Sequence, residues 1–313
     1  MMRDATIAEA VPDEGMNPAL TGGPAIADSA EAATASGLAL ETQLQRLAPI
    51  SLDEINAQAR LMTRVDRKYF LPRGLFIDLL AATRDDFRVL EIGGKHRFEY
   101  RTTYFDTPDF RFYRDHVQER RHRFKVRTRT YVDTGTCHLE VKSKGYRGQT
   151  VKERIAHPIE SPLTLTPGDR EFIDSVLDGA PADADGRGSA GRRASAGRSA
   201  SVDRRASARG RLRAADLEPV VETVYDRITL CHADQRLTCD LDIRAISGDE
   251  QHAGPSDVLV ETKSPGGGGI WDGLLKQVGV RPHKVSKYCV SAALLYPQLP
   301  SNPWERTIRR YFR

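Results

Sequence analysis

The chain has 313 residues, a formal net charge of +4, 39% hydrophobic residues and 29% charged residues. That length suffices for a sizeable core, and no run of about 18 apolar residues is present, which excludes a predicted helical membrane span. The opening MMRDATIAEAVPDEG lacks the basic-then-apolar order of an export signal, and Cys137, Cys231, Cys239 and Cys289 form no CxxC pair, so core thiols and a cytoplasmic location are expected. The charge is unevenly spread. Between Pro181 and Ala215 nine arginines stand against three aspartates, a local +6, so the remainder carries −2 of the net +4. A nearly neutral folded part with cations gathered on particular strands differs from a uniformly basic nucleic-acid binder and points to a local anion site.

Residues 1–45 are rich in Ala, Gly, Pro and acidic residues and are expected to form a disordered tail. A helix is predicted from Ser51, where Glu54 stands three residues after a capping serine, with Ile55, Ala59 and Met62 as its apolar stripe. In RVDRKYFLP, Arg64, Asp66 and Lys68 share a strand face, Pro72 ends the strand, and Leu75, Phe76, Leu79 and Leu80 mark a second helix. HRFEYRTTYFD (96–106) alternates as a strand and ends in a Thr107-Pro108-Asp109 turn. Arg123, Lys125, Arg127, Arg129 and Tyr131 share one face of the next strand, with Phe124, Val126 and Thr128 on the other. The Asp133-Thr134-Gly135 turn returns the chain into Leu139–Lys142, where Glu140 and Lys142 face the same way.

Gln149–Ile155 reads as a further strand with Lys152 and Arg154 on one face, and a helix is predicted over 167–178. Residues 181–215, low in complexity and rich in Arg, Ser, Ala and Gly, cannot bury a core and are expected to be a disordered insertion. Beyond it VVETVYDRITL pairs with RLTCDLDIRAI, which aligns Arg236, Thr238, Asp240, Asp242 and Arg244, and VLVETK places Leu259, Glu261 and Lys263 together. Helices are predicted over 270–278, from Tyr288 through Leu295, and over 304–312. The Gly266–Gly269 loop is no phosphate loop, because no Lys-Ser/Thr follows it.

The fold class is therefore α+β, with about eight strands in meander-like order. The expected architecture is an antiparallel eight-stranded β-barrel decorated with helices, its halves spanning 46–180 and 216–313. A barrel wide enough to hold a ligand turns the charged strand faces inward. Several cations on one strand face repel one another unless an anion lies between them. Interspersed carboxylates suit a channel that holds a polyanion together with a divalent metal.

RVDRKY, YFDT, KVRTRTY, LEVKSK, YDR, RLTCDLD, LVETK and HKVSKY, in this order, resemble the VTC domain over residues 50–297, interrupted by 181–215. That domain is the polyphosphate polymerase module of the vacuolar transporter chaperone complex, in the triphosphate tunnel metalloenzyme (CYTH-like) superfamily, and the likeness is to free-standing bacterial versions. The resemblance implies an eight-stranded tunnel that transfers the γ-phosphate of ATP onto polyphosphate with a divalent ion, Mn2+ or else Mg2+. Carried onto this chain, the phosphate-binding residues are Lys68, Arg127, Arg129, Lys142, Arg227, Arg236, Lys284, Ser286 and Lys287, with Lys68, Arg127, Arg129 and Lys142 catalytic and Glu261 the metal ligand. Such chemistry asks mainly for positioning and charge stabilisation, which arginine forks, lysines and one carboxylate supply. Glu140 and Asp240 are read as orienting the arginines.

Two departures stand out. The superfamily often carries Glu-x-Glu-x-Lys on its first strand, where this chain has Arg64-Val-Asp66-Arg67-Lys68, one carboxylate fewer. His116 aligns where yeast-type polymerases have an arginine, which would weaken binding of the product chain. Alternatives are a triphosphatase hydrolysing tripolyphosphate or a nucleoside triphosphate, and a non-catalytic polyphosphate sensor or scaffold. The partners implied are ATP, polyphosphate and a separate membrane protein. No specific nucleic acid is expected, since no aromatic stacking platform is interleaved with the cations.

Overall fold

The computed structural model describes residues 24–59, 65–144, 150–179, 212–266 and 268–312. In chain order the first half contains α1 (Pro24–Leu44), β1 (Ala48–Ile50), α2 (Leu52–Ala59), β2 (Val65–Leu71), α3 (Arg73–Ala82), β3 (Arg88–Leu90), β4 (Phe98–Asp106), α4 (Arg111–Val117), β5 (Arg123–Tyr131), β6 (Thr136–Lys144), β7 (Thr150–His157) and α5 (Pro167–Gly179). The second half contains β8 (Glu218–His232), β9 (Gln235–Ser247), β10 (Glu250–Ala253), β11 (Val258–Ser264), α6 (Ile270–Gln277), α7 (Lys287–Leu295) and α8 (Glu305–Tyr311).

Eight strands form one antiparallel path in the spatial order β2-β11-β9-β8-β4-β5-β6-β7, and these are the eight that the period-two alternation predicts. The short β1, β3 and β10 are attached at the side, β1 parallel to β3, β3 against β8, and β10 against β9. The expected eight-stranded barrel is present in approximate form, as a curled sheet that does not close: β2 and β7 are its edges, and no ladder joins them among the described residues. Residues 150–154 of β7 are exposed, as suits an edge strand paired on one side only, with β6. Side chains from all eight strands nevertheless line one cavity.

The period of two divides each strand between a helical layer and that cavity. In β5 and β6, Val126, Leu139 and Val141 are fully buried against Ile173 and Val176 of α5, whereas Arg127, Arg129 and Lys142 face the cavity. Each such aliphatic side chain contributes about 1.5–3 kcal/mol through burial. In β11, Val258 and Val260 join Phe76 of α3 and Trp271 and Leu275 of α6 in one core, while Glu261 and Lys263 turn inward. A third cluster packs α7 and α8 on Phe70, Tyr104 and Tyr225, with Tyr288, Cys289, Trp304 and Phe312. The four cysteines are all buried and free. No helix among the described residues is long and apolar enough to cross a membrane.

Several local expectations hold. Ser51 and Glu54 form the reciprocal capping box, Ser51 N–H donating to Glu54 Oε2 at 3.0 Å and Glu54 N–H to Ser51 Oγ at 3.3 Å. The β5–β6 turn ends on Gly135 at φ +62°, a left-handed position that favours glycine. Others need correction. The expected tail 1–45 includes helix α1, whose Leu40 and Leu44, one turn apart, are buried on Phe76 and Leu80. Alanine-rich composition reads as disorder, yet alanine is the best helix former and two leucines at this spacing suffice for docking. The C-terminal end of the expected insertion is also ordered, since Ala214–Asp216 form a short 3-10 turn and Ala214 is fully buried beside Ile173. Met62, Arg64 and the rest of the arginine-rich stretch lie outside the described residues.

Candidate functional site

The curled sheet encloses a cavity of about 640 Å³. Among the described residues, eleven lysines and arginines line it against four carboxylates, Asp66, Glu99, Asp133 and Glu261. Nine of the ten predicted site residues are among the lining: Lys68, Arg127, Arg129, Lys142, Arg227, Arg236, Glu261, Ser286 and Lys287. The exception is Lys284. It is 80% exposed, paired with Glu119 at the surface, and absent from the lining.

The wall built from β5, β6 and β7 follows from register. Arg127 stands opposite Glu140, and Lys125 opposite Lys142, which in turn faces Lys152. Glu140 is fully buried and grips Arg127 through Nε at 2.8 Å and Nη2 at 2.5 Å, while Lys152 Nζ donates to its other oxygen at 2.6 Å. Burial would raise the Glu140 carboxyl, but Arg127, Arg129 and Lys152 overcome this and hold it well below the ordinary carboxylate range. Arg129 donates through Nε to Thr102 Oγ1 at 3.2 Å and has its guanidinium 5.6 Å from the Tyr100 ring centroid. Burial, together with Arg127 and Arg129, pushes the Lys142 ammonium down to about 7. Lys125 is likewise held below its ordinary value by burial, with Lys68 and Arg127 adding to the effect.

The opposite wall repeats the motif with other residues. Asp240 accepts a bidentate pair from Arg227 at 2.6 and 2.8 Å and a further bond from Lys287. Burial would raise Asp240, yet Arg227 and Lys287 keep it well below its usual range. Arg227 also lies 4.9 Å over Tyr100 and 5.3 Å over Tyr225, and Lys287 Nζ is 4.6 Å from the Tyr225 ring, so aromatic faces share in holding these cations. Farther along, Glu261 accepts from Lys68 Nζ at 3.0 Å and from Lys263 Nζ at 2.5 Å, and Lys263 also donates to Thr238 at 3.1 Å. Burial opposes ionisation of Glu261, and Lys263 and Lys68 overcome it, leaving the carboxylate charged.

Helix α7 closes this side. Ser286 is its cap, accepting from Cys289 N–H at 3.4 Å and from Lys125 Nζ at 2.9 Å, so its own hydroxyl proton remains to donate. His116 in α4 lies outside the lining. Burial and Lys125 push it down to about 3, and its Nδ1–H donates to Phe112 O at 2.8 Å, so this position adds no positive charge. Glu140 and Asp240 do orient the arginines, as expected. Sequence reasoning missed Lys125, Lys152, Arg154 and Lys263 as lining residues. Their signal was present, because Lys125 shares the Arg127 face and Lys263 the Glu261 face by simple alternation.

A divalent cation finds one suitable carboxylate here. No group of three His, Cys, Asp or Glu side chains able to hold a metal occurs among the described residues. Glu261 Oε1 and Oε2 are each engaged by an ammonium. The donor set therefore fits a cation that takes its remaining ligands from phosphate oxygens and water, and fits poorly a metal held by protein alone.

No curated protein matches the chain. Among solved structures it is similar to a candidate adenylate cyclase from Bacillus halodurans, at 13% identity and a TM-score of 0.38, covering 72% of this chain and 94% of that one. A candidate adenylate cyclase from Vibrio parahaemolyticus gives 10% identity and a TM-score of 0.38, covering 72% and 95%. A candidate adenylyl cyclase from Hippeastrum, described as having a dominant triphosphatase activity, gives 15% identity and a TM-score of 0.38, covering 76% and 98%. The family model of the VTC domain matches residues 63–296, well over half of the sequence and the whole span of the cavity-forming strands from β2 to β11, and the chain belongs to that family.

Proposed function

We propose that the protein transfers the terminal phosphoryl group of ATP onto inorganic polyphosphate within this cavity. The observation that carries the reading is the charge of the lining, eleven cations against four carboxylates, in a chain of the VTC-domain family. Glu140 and Asp240 behind the lining and Glu261 within it engage some of these cations, and a ligand with several closely spaced negative charges suits the positive excess that remains. A terminal oxygen of the polyphosphate chain attacks the γ-phosphorus, the β–γ bridging P–O bond breaks, and ADP leaves. Arg127, Arg129, Lys68 and Lys142 stabilise charge on the transferring group; Arg227, Arg236, Ser286 and Lys287 hold the flanking phosphates. Glu261 would hold Mn2+ or Mg2+ shared with phosphate oxygens, and such an ion neutralises charge on the reacting oxygens. Lys284 is left out of this assignment because it stands at the surface. A cytoplasmic setting, where ATP is at hand and the four cysteines stay reduced, suits this chemistry, and a membrane protein that moves the product across a bilayer is a fitting partner.

The test is incubation of the full chain with ATP and Mn2+, with products resolved on a urea gel stained for polyphosphate. A ladder abolished by Lys68→Ala, Arg127→Ala and Glu261→Ala supports the reading. Orthophosphate without a ladder replaces it with a triphosphatase. Polyphosphate binding with neither product replaces it with a sensor or scaffold.

A further inference from the structure

The cavity is not basic throughout. At the end where β5 finishes, its lining turns from basic to mixed: Leu52 and Ile55 of α2, Ile92, Phe98 and Tyr131 stand with the amide of Asn56 and the carboxylates of Glu99 and Asp133. Ile55 and Phe98 are explained as members of a small core with Ile50, Leu90 and Cys231. Leu52 is not, being 44% exposed while lining the cavity; Tyr131 is only half-buried there, as is Ile92 at the margin of that core. A chain of phosphates gains nothing from such groups, because it offers no apolar surface to remove from water.

We propose that this end holds the base of a nucleoside triphosphate, an inference that rests on the ATP reading above and gives the bound nucleotide a direction. Tyr131 supplies an aromatic ring, itself braced by T-shaped contacts with Tyr100 at 4.9 Å and His138 at 5.8 Å. A planar heterocycle stacks well on such a ring and leaves its edge for an amide such as Asn56, which matches the donor–acceptor pair of adenine. Arg129 and Arg127 follow Tyr131 at two and four residues along the same strand face, about 7 and 13 Å at the rise of a strand. An extended triphosphate with its base at Tyr131 therefore runs along these arginines toward Lys142, Lys68 and Glu261. The growing polymer must then approach the γ-phosphate from the opposite end, beside Ser286 and Lys287.

Calorimetric titration of the full chain with ATP, and separately with inorganic tripolyphosphate, tests this. Tyr131→Ala should weaken ATP by about tenfold, the loss of one base-stacking contact, and leave tripolyphosphate binding unchanged. Leu52→Ser, at an exposed position that does not endanger folding, should act in the same sense by about threefold. Equal weakening of both ligands by Leu52→Ser, or no effect of either substitution on ATP, would overturn the base site. Tripolyphosphate binding without ATP binding in the unsubstituted chain overturns the base site while leaving a polyphosphate-binding cavity. Failure to bind either ligand removes the proposed function as well.

Discussion

Glu140 and Glu261 hold matching stations on opposite walls of the cavity, each a carboxylate bridging two cations. Glu140 joins Arg127 to Lys152, and Glu261 joins Lys68 to Lys263. Their surroundings differ. The Glu140 side chain is wholly buried behind the arginines, whereas that of Glu261 is 22% exposed and forms part of the lining. The first can only orient its partners, since nothing that enters the cavity reaches it. Under the proposed function, the second would exchange its ammonium partners for a metal ion. The same acid–base pattern is closed off on one wall and open to the cavity on the other, and that access is what the proposed role of Glu261 requires.

Substitution at both positions sets this contrast most sharply. Glu140→Gln leaves Arg127 buried without a counter-charge and should destabilise the fold by about 3–5 kcal/mol, read as a loss of denaturation midpoint. Glu261→Gln keeps one accepting oxygen for the buried Lys263 and frees Lys68, whose side chain is 31% exposed, to turn to solvent, so a smaller loss of about 1–2 kcal/mol is expected, with Mn2+-dependent turnover lost and metal-free polyphosphate binding retained or tightened. If both variants lost stability equally, the distinction drawn from burial would fail.

The strand faces were legible because period two is a hard geometric fact. It places Arg127, Arg129, Lys142, Arg236 and Glu261 on the charged faces of their strands from the sequence alone. Arg227, Ser286 and Lys287 came from the family resemblance and do join the cavity. What could not be read is where pattern is short or absent. Three-residue strands such as β1 and β3 carry too little periodicity to register. Closure of the sheet depends on curvature summed over eight strands, which no local sequence encodes. Helix α1 was hidden by an alanine-rich composition shared with disordered segments.

Two cations of the β5–β6 wall sharpen the comparison further, because neither is anchored by a carboxylate hydrogen bond as Arg127 is. Arg129→Ala removes a repulsion toward Lys142 together with part of the charge that favours the Glu140 carboxylate, so the net change in stability should be small, while polyphosphate affinity should fall about 10–100-fold by titration. Lys142 adds a pH dependence. Its ammonium, ordinarily near 10.5, is pushed down to about 7. The folded state therefore releases a proton that the unfolded chain still holds, and this group's contribution to stability rises with pH from about 7 upward. A bound polyanion reverses the depression, so affinity should decline from pH 7 to pH 9, by about tenfold at most per unit, with proton uptake on binding at pH 8. Titration in buffers of different ionisation enthalpy measures that uptake. Lys142→Arg should abolish it, because a guanidinium stays charged throughout.

The smallest expected effect separates two lysines three residues apart in HKVSKY. Lys287 opens α7 behind the Ser286 cap, where the helix direction fixes its side chain over Tyr225 and against Asp240. Lys284 precedes the cap, in a stretch with no regular hydrogen bonding to aim it, and meets only the exposed Glu119. An exposed pair is screened by salt and contributes little to an anion held inside the cavity. Lys284→Ala should therefore leave polyphosphate affinity within about twofold of the unsubstituted protein at 0.15 M salt, whereas Lys287→Ala should weaken it tenfold or more. A large loss from Lys284→Ala would mean that the polymer extends past the mouth beside α7 and is gripped there by the surface, which the position of this lysine otherwise argues against.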